Sequence, residues 1–85
     1  MDVRFLPTAL KDLKGLAATD RARIIAKIEQ YAADPRSLAN NVLKLSNSSL
    51  LCLRVGDYRV IFSIEEGVVT IMFVHNVRHR REAYG

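Results

Sequence analysis

The residues best suited to chemistry in this 85-residue chain are arginine, histidine and tyrosine, and they fall in two clusters. Arg54 and Arg59 flank the Gly56-Asp57 pair in "LRVGDYRV", while Arg78, His79, Arg80, Arg81 and Tyr84 crowd the closing stretch "VRHRREAYG". Arginine keeps its charge and forks two N–H donors onto one carboxylate or phosphate. Cutting RNA without a metal needs a base for the 2′-hydroxyl, cations for the charged phosphorane and an acid for the leaving 5′-oxygen. Histidine, arginine and tyrosine supply all three. A terminal charge run is equally well a solvated basic tail, and composition leaves both readings open.

Other reactive residue types point to less. His75 follows the apolar run "IMFV" and reads as a packed or edge residue. Cys52 is the single cysteine, which excludes an internal disulfide and a multi-cysteine metal site; it reads as a small hydrophobe. Glycine-rich phosphate loops, nucleophile elbows and metal-ligand spacings are absent from the sequence, so no cofactor is expected. Thirteen Lys and Arg against nine Asp and Glu give +4, a mild excess that allows a polyanionic partner.

Positioning these residues falls to a small scaffold. A chain this short buries roughly 60–65% of its extended surface, enough for one domain spanning residues 1–85. Asp2 and Arg4 interrupt any leader-like apolar start, and no apolar run approaches the ~20 residues of a membrane span, so a soluble cytoplasmic domain is expected. "DVRFL" reads as a strand halted by Pro7, which suits a helix start, and Gly15 ends that first helix. Thr19 or Asp20 caps a second helix whose Leu16, Ile24, Ile25, Ile28 and Tyr31 form one stripe. Asp34-Pro35 ends it, making an antiparallel helical hairpin. Residues 36–49 lack a period and read as a connection laying Leu38, Val42, Leu43 and Leu45 on the core.

From Leu50 onward the period becomes two: "LLCLRV", a turn at Gly56-Asp57, "YRVIFSI", a turn around Glu65 to Gly67, then "VVTIMFVHNV". Alternation puts Leu51, Leu53 and Val55 on one face and Leu50, Cys52 and Arg54 on the other; Tyr58, Val60, Phe62 and Ile64 oppose Arg59, Ile61 and Ser63. The fold expected is α+β: an N-terminal strand and two helices packed on one face of a small antiparallel-rich sheet, in the order β-α-α-β-β-β. The open face then carries Arg54 and Arg59, two adjacent cations that repel unless an anion offsets them.

"LRVGDYRVIFSIEEG" followed by "HRREAY" resembles the RelE branch of the RelE/ParE superfamily of type II toxin–antitoxin toxins, and the likeness runs over nearly the whole chain. The resemblance implies a ribosome-dependent messenger RNA endonuclease that inhibits translation, bound and blocked by a separate RelB-like antitoxin in a hetero-oligomer. It implies that Arg59 stabilises the scissile phosphate, that Arg80 stabilises charge or protonates the leaving group, and that Tyr84 is the terminal tyrosine of the site. Arg54, Arg78 and Arg81 would bind RNA. Two positions depart from the pattern: Leu50 and Cys52 stand where nucleases of this branch carry basic residues, and Arg78 stands where relatives often have glycine. His79 is then the expected base, since imidazole titrates near neutral pH. A ParE-like inhibitor of DNA gyrase and a degenerate toxin that only binds antitoxin are the alternatives.

Overall fold

A computed structural model describes residues 1–83. Local signals decide its first elements. The β-branched and aromatic opening forms β1 (Asp2–Phe5), and Pro7 starts α1 (Pro7–Lys14) at the first helical position, where its missing N–H goes unneeded. Gly15 closes α1 with φ of −78°, an ordinary right-handed value, so glycine's freedom is not used there. Arg21 completes the end by donating from Nη1 to the carbonyls of Leu13 and Leu16, at 3.3 Å each. This puts a cation at the negative pole of the helix.

α2 (Ala18–Ala33) begins earlier than the expected caps. Ala17 occupies the cap position without a side-chain hydrogen bond, and Thr19 and Asp20 lie inside the first turn. Asp20 is used elsewhere: its Oδ2 accepts from the Tyr58 hydroxyl at 3.3 Å, and its Oδ1 lies 3.7 Å from Arg23 Nη2. The helix stops at Asp34, before Pro35.

Residues after Pro35 form a 3₁₀ segment (Pro35–Asn41) and a short strand, β2 (Val42–Lys44), pieces too brief to show a period. β2 is held by antiparallel pairing with β3 (Leu51–Val55). Leu38 is buried, but Leu43, expected on the core, is 46% exposed. It pairs with Cys52 and so lies on the face turned from the helices. After Gly56, which takes φ +57° in the tight turn that only glycine adopts freely, come β4 (Tyr58–Glu65), β5 (Ile71–His79) and a helical turn, α3 (Arg80–Ala83). Val68 and Val69, expected at the start of the last strand, instead lie exposed in the β4–β5 connection.

The strands form one sheet in the order β1-β5-β4-β3-β2, with β1 parallel to β5 and the other pairs antiparallel. Ile24, Ile28 and Tyr31 of α2 share the core with Leu53, Val60, Phe62, Met72 and Val74, and all five of these strand residues are fully buried. Tyr31 meets Phe62 edge-on at 5.1 Å. Burying one such aromatic or aliphatic side chain stabilises the fold by about 1.5–3 kcal/mol. The result is the expected α+β arrangement with a strand and a terminal helical turn added. Among the described residues no helix is long and apolar enough to cross a membrane.

The pairing of β4 with β5 is interrupted at one point. Ile61 pairs with Asn76 and Phe62 with Val74, so β5 carries one extra residue there, a β-bulge. α1 is fastened along the same stretch. Leu6 N–H donates to Val74 O at 2.9 Å, Thr8 Oγ1 donates to His75 O at 2.6 Å, and Val77 N–H donates to Asp12 Oδ2 at 2.9 Å. Thr8 and Asp12 are one helical turn apart, so a single face of α1 satisfies the strand edge that β1 is too short to cover.

Candidate functional site

The bulge reverses side-chain alternation. Met72 and Val74 point into the core before it, and Val77 does so after it. Two residues either side of an even run would share a face; the extra residue breaks that parity. Arg78 therefore joins the open face and His79 the helical one.

On the open face three arginines stand in line. Arg54 on β3 pairs with Arg59 on β4, and Arg59 pairs with Arg78 on β5. Directly opposed residues have Cβ atoms about 4.5–5.5 Å apart, so the three bases of these side chains form a straight row across adjacent strands. Arg54 Nη2 donates to Asn40 O at 3.0 Å; Arg59 Nη1 donates to Gly56 O at 3.2 Å and Tyr58 O at 3.0 Å. These carbonyl acceptors orient the Arg54 and Arg59 guanidinium groups. Such a row is a ready seat for phosphates, each guanidinium offering a planar fork of donors.

Beside the row lies a pocket of about 200 Å³ bounded by Leu43, Cys52, Arg59 and Ile61 among others. Cys52 is buried although it sits on this face, and burial pushes its thiol up from the ordinary value despite the opposing charges of Arg59 and Arg54. It is a neutral packing residue, as read from sequence. Of the two uncharged positions, Cys52 is buried and lines this pocket, and Leu50 is half-buried just before β3.

The terminal cluster does not stay together. β5 runs on to His79, and α3 starts at Arg80, whose N–H donates to Asp57 O at 2.7 Å. Arg80 Nη1 lies 3.8 Å from Asp57 Oδ1 with both side chains exposed, a pair worth little in water. The basic segment is thereby anchored on the β3–β4 turn. His79, expected as the base beside Arg59, lies on the opposite side of the sheet: it pairs with Tyr58, its ring meets the Tyr58 ring edge-on at 5.5 Å, and its Nδ1 accepts from Arg81 N–H at 3.3 Å. Burial, then the charge and hydrogen bond of Asp20, push the Tyr58 phenol up. Arg81 is exposed, and Tyr84 lies outside the described residues.

Sequence reasoning passed over one pair. His75 Nε2 and Ser63 Oγ are 2.8 Å apart on the arginine face. Their contact joins two strands through the bulged register, and no local spacing signals it. Among the described residues no three His, Cys, Asp or Glu side chains come together as a metal site.

Over residues 3–84 the sequence matches the family described as ParE toxin of type II toxin–antitoxin system, parDE. Solved structures are similar along almost the whole length. A chain of the RelBE2 toxin–antitoxin complex of Mycobacterium tuberculosis shares 28% identity, covering 93% of this chain and 96% of that one, with a TM-score of 0.65. A chain of the RelB–RelE antitoxin–toxin complex of Methanococcus jannaschii shares 27%, covering 94% and 93%, at 0.69. A chain of the intact RelBE complex of Escherichia coli shares 26%, covering 92% and 94%, at 0.72. No curated protein matches the sequence.

Proposed function

The chain belongs to the ParE toxin family of type II toxin–antitoxin systems within the RelE/ParE superfamily, and from that premise we propose that it is a metal-independent endoribonuclease that cuts messenger RNA on the ribosome and so inhibits translation. One observation carries this reading: the in-register row Arg54, Arg59, Arg78 on the sheet face that the helices leave open. Nucleic-acid affinity comes largely from cation–phosphate contacts, and three arginines in line suit a single-stranded backbone crossing the strands. Arg59, at the centre, would take the scissile phosphate and stabilise the charge that develops on it. Arg54 and Arg78 would hold the phosphates on either side, and Arg80 and Arg81 would extend the basic surface past the end of β5. Tyr84 would stack on a base. The ribosome supplies substrate placement, which a small open face lacks. This reading puts the protein in the cytoplasm, where ribosomes work.

The partner in this reading is a RelB-type antitoxin on a separate chain, as in the complexes of the similar proteins. An amphipathic antitoxin helix with acidic groups would cover apolar surface and offset the basic face.

A second reading is inhibition of DNA gyrase. The uncharged Leu50 and Cys52, half-buried and buried, favour it, because neither supplies the basic side chain a nuclease of this branch carries there. Induced expression followed by mapping of RNA 5′ ends, alongside a gyrase supercoiling assay, separates the two. Codon-phased cuts in translated messages support the nuclease; blocked supercoiling without cuts overturns it in favour of the gyrase poison.

A further inference from the structure

The geometry points to Asp20, on α2, as a positioning residue that fixes the Arg59 guanidinium from the opposite side of the sheet; its effect on cleavage rests on the ribonuclease reading above. The first observation concerns what holds Arg59. Its Nη1 donates to Gly56 O at 3.2 Å and to Tyr58 O at 3.0 Å, so two carbonyls of the β3–β4 hairpin set where the charge sits. The residue between them is held as well, since Asp57 O accepts the Arg80 N–H at 2.7 Å. Where this turn goes, the central cation of the row goes with it.

The second observation concerns what holds the turn. Both residues that supply the carbonyls are reached from the helical side by Asp20. Its Oδ2 accepts from the Tyr58 hydroxyl at 3.3 Å, which ties the first residue of β4 to α2. Its Oδ1 lies 3.7 Å from Arg23 Nη2, and the Arg23 guanidinium is seated against Gly56: a Cβ at that position would lie 3.0 Å from Nη2 and 3.4 Å from Cζ. Glycine is therefore favoured at position 56 twice over, by its φ of +57° and by this close approach. The Arg23 and Asp20 side chains are 54% and 36% exposed, so their ion pair adds little stability in water; its consequence is where it puts the guanidinium. Asp20 and Arg23 are three residues apart and share a helix face, so one carboxylate braces both carbonyl-bearing residues through two different partners. α2 does not use Asp20 as its cap, because Ala17 holds that position and the carboxylate reaches across to β4 instead.

The bracing matters because of what arginine is. A long side chain carries much rotamer entropy, and ordering it only when a phosphate arrives weakens the interaction. A guanidinium held beforehand needs no reorganisation as charge develops on the phosphorane. Asp20 acts on the reaction through Tyr58, Arg23 and the turn, from the face that RNA does not cross.

The test makes two measurements on the full-length toxin. In the free protein, nitrogen relaxation at Arg59 Nε, a buried atom, reports the order of the guanidinium on the ps–ns scale. In Asp20→Ala that order should fall from the rigid toward the flexible range, while the Arg21 guanidinium, which holds the Leu13 and Leu16 carbonyls, keeps its order. In single-turnover cleavage of messenger RNA on programmed ribosomes, Asp20→Ala should lose about tenfold in rate at saturating ribosome, with less than threefold change in the half-saturating concentration. Tyr58→Phe and Arg23→Ala each remove one brace and should each lose about threefold in rate. Circular dichroism checks folding; should Asp20→Ala unfold, Tyr58→Phe, which removes only a hydroxyl, takes its place with the same loosening of Arg59. A folded variant in which Arg59 is as ordered as in wild type overturns the proposal, whatever its rate. A loosened Arg59 with an unchanged cleavage rate, while Arg59→Ala is inactive, also overturns it and leaves the ribonuclease reading standing. Absence of cutting by the wild-type toxin overturns the ribonuclease reading, and the order of Arg59 then decides by itself whether Asp20 positions it.

Discussion

Arg59 and Arg78 face one another across β4 and β5, and His79, the very next residue, turns to the other side of the sheet beside Tyr58. The basic C-terminal stretch is thus split between two surfaces. Arg78 completes a row of cations with Arg59 and Arg54, while His79 packs against the ring that Asp20 holds from α2.

Row arginines act through charge, so their loss should be visible in salt dependence. For single-stranded RNA the slope of log K against log salt falls by about 0.7 for each phosphate contact removed. Arg59→Ala and Arg78→Ala should each reduce the slope by about that amount, and the double variant by twice it. Binding isotherms between low and moderate salt measure it. An unchanged slope in Arg78→Ala would remove that residue from the RNA face. In cells, Arg59→Ala should also relieve growth arrest.

Asp12 accepts the Val77 N–H at 2.9 Å where the bulge meets α1. Its replacement by alanine leaves a half-buried donor unsatisfied, at a cost of about 1–3 kcal/mol. Urea unfolding should show the lower midpoint, and amide exchange at Val77 should accelerate more than at Val60. Equal protection at both sites in the variant would mean the contact is idle.

His79 and Tyr58 should be coupled in stability. An edge-on aromatic pair contributes about 0.5–1.5 kcal/mol beyond burial, so a double-mutant cycle of His79→Ala with Tyr58→Ala should give a coupling energy in that range. A cycle of His79→Ala with Arg59→Ala should give none. Coupling to Arg59 instead would contradict the two-face arrangement.

Stability should fall on the alkaline side. Burial raises the Cys52 thiol above its ordinary 9.0 and the Tyr31 phenol above 10.0, and Tyr58 shifts the same way by burial and by Asp20. In each case the unfolded chain loses its proton first. The stabilisation is therefore complete below the unfolded pKa values and is lost as pH rises from about 9 through the folded ones. Thermal unfolding between pH 7 and 11 should show the decline, and Cys52→Ala with Tyr58→Phe should flatten it. A flat wild-type profile would mean these groups titrate alike in both states.

Much of the scaffold was legible because its signals are local. Pro7 and Asp34-Pro35 bound helices through their own backbone restrictions, and the period of two sorted Leu53 and Val55 from Cys52 and Arg54, as well as Val60 and Phe62 from Arg59 and Ile61. β2 was not legible, since three residues hold no period and only pairing with β3 makes them a strand. Val68 and Val69 carry strand-like side chains, yet the β4–β5 register leaves them in a loop. The residue types for an arginine row and an imidazole were written in the sequence. Which of them share a surface was decided by one extra residue in β5, because register is set by packing between distant segments, and a slip of one sends every later side chain to the other face.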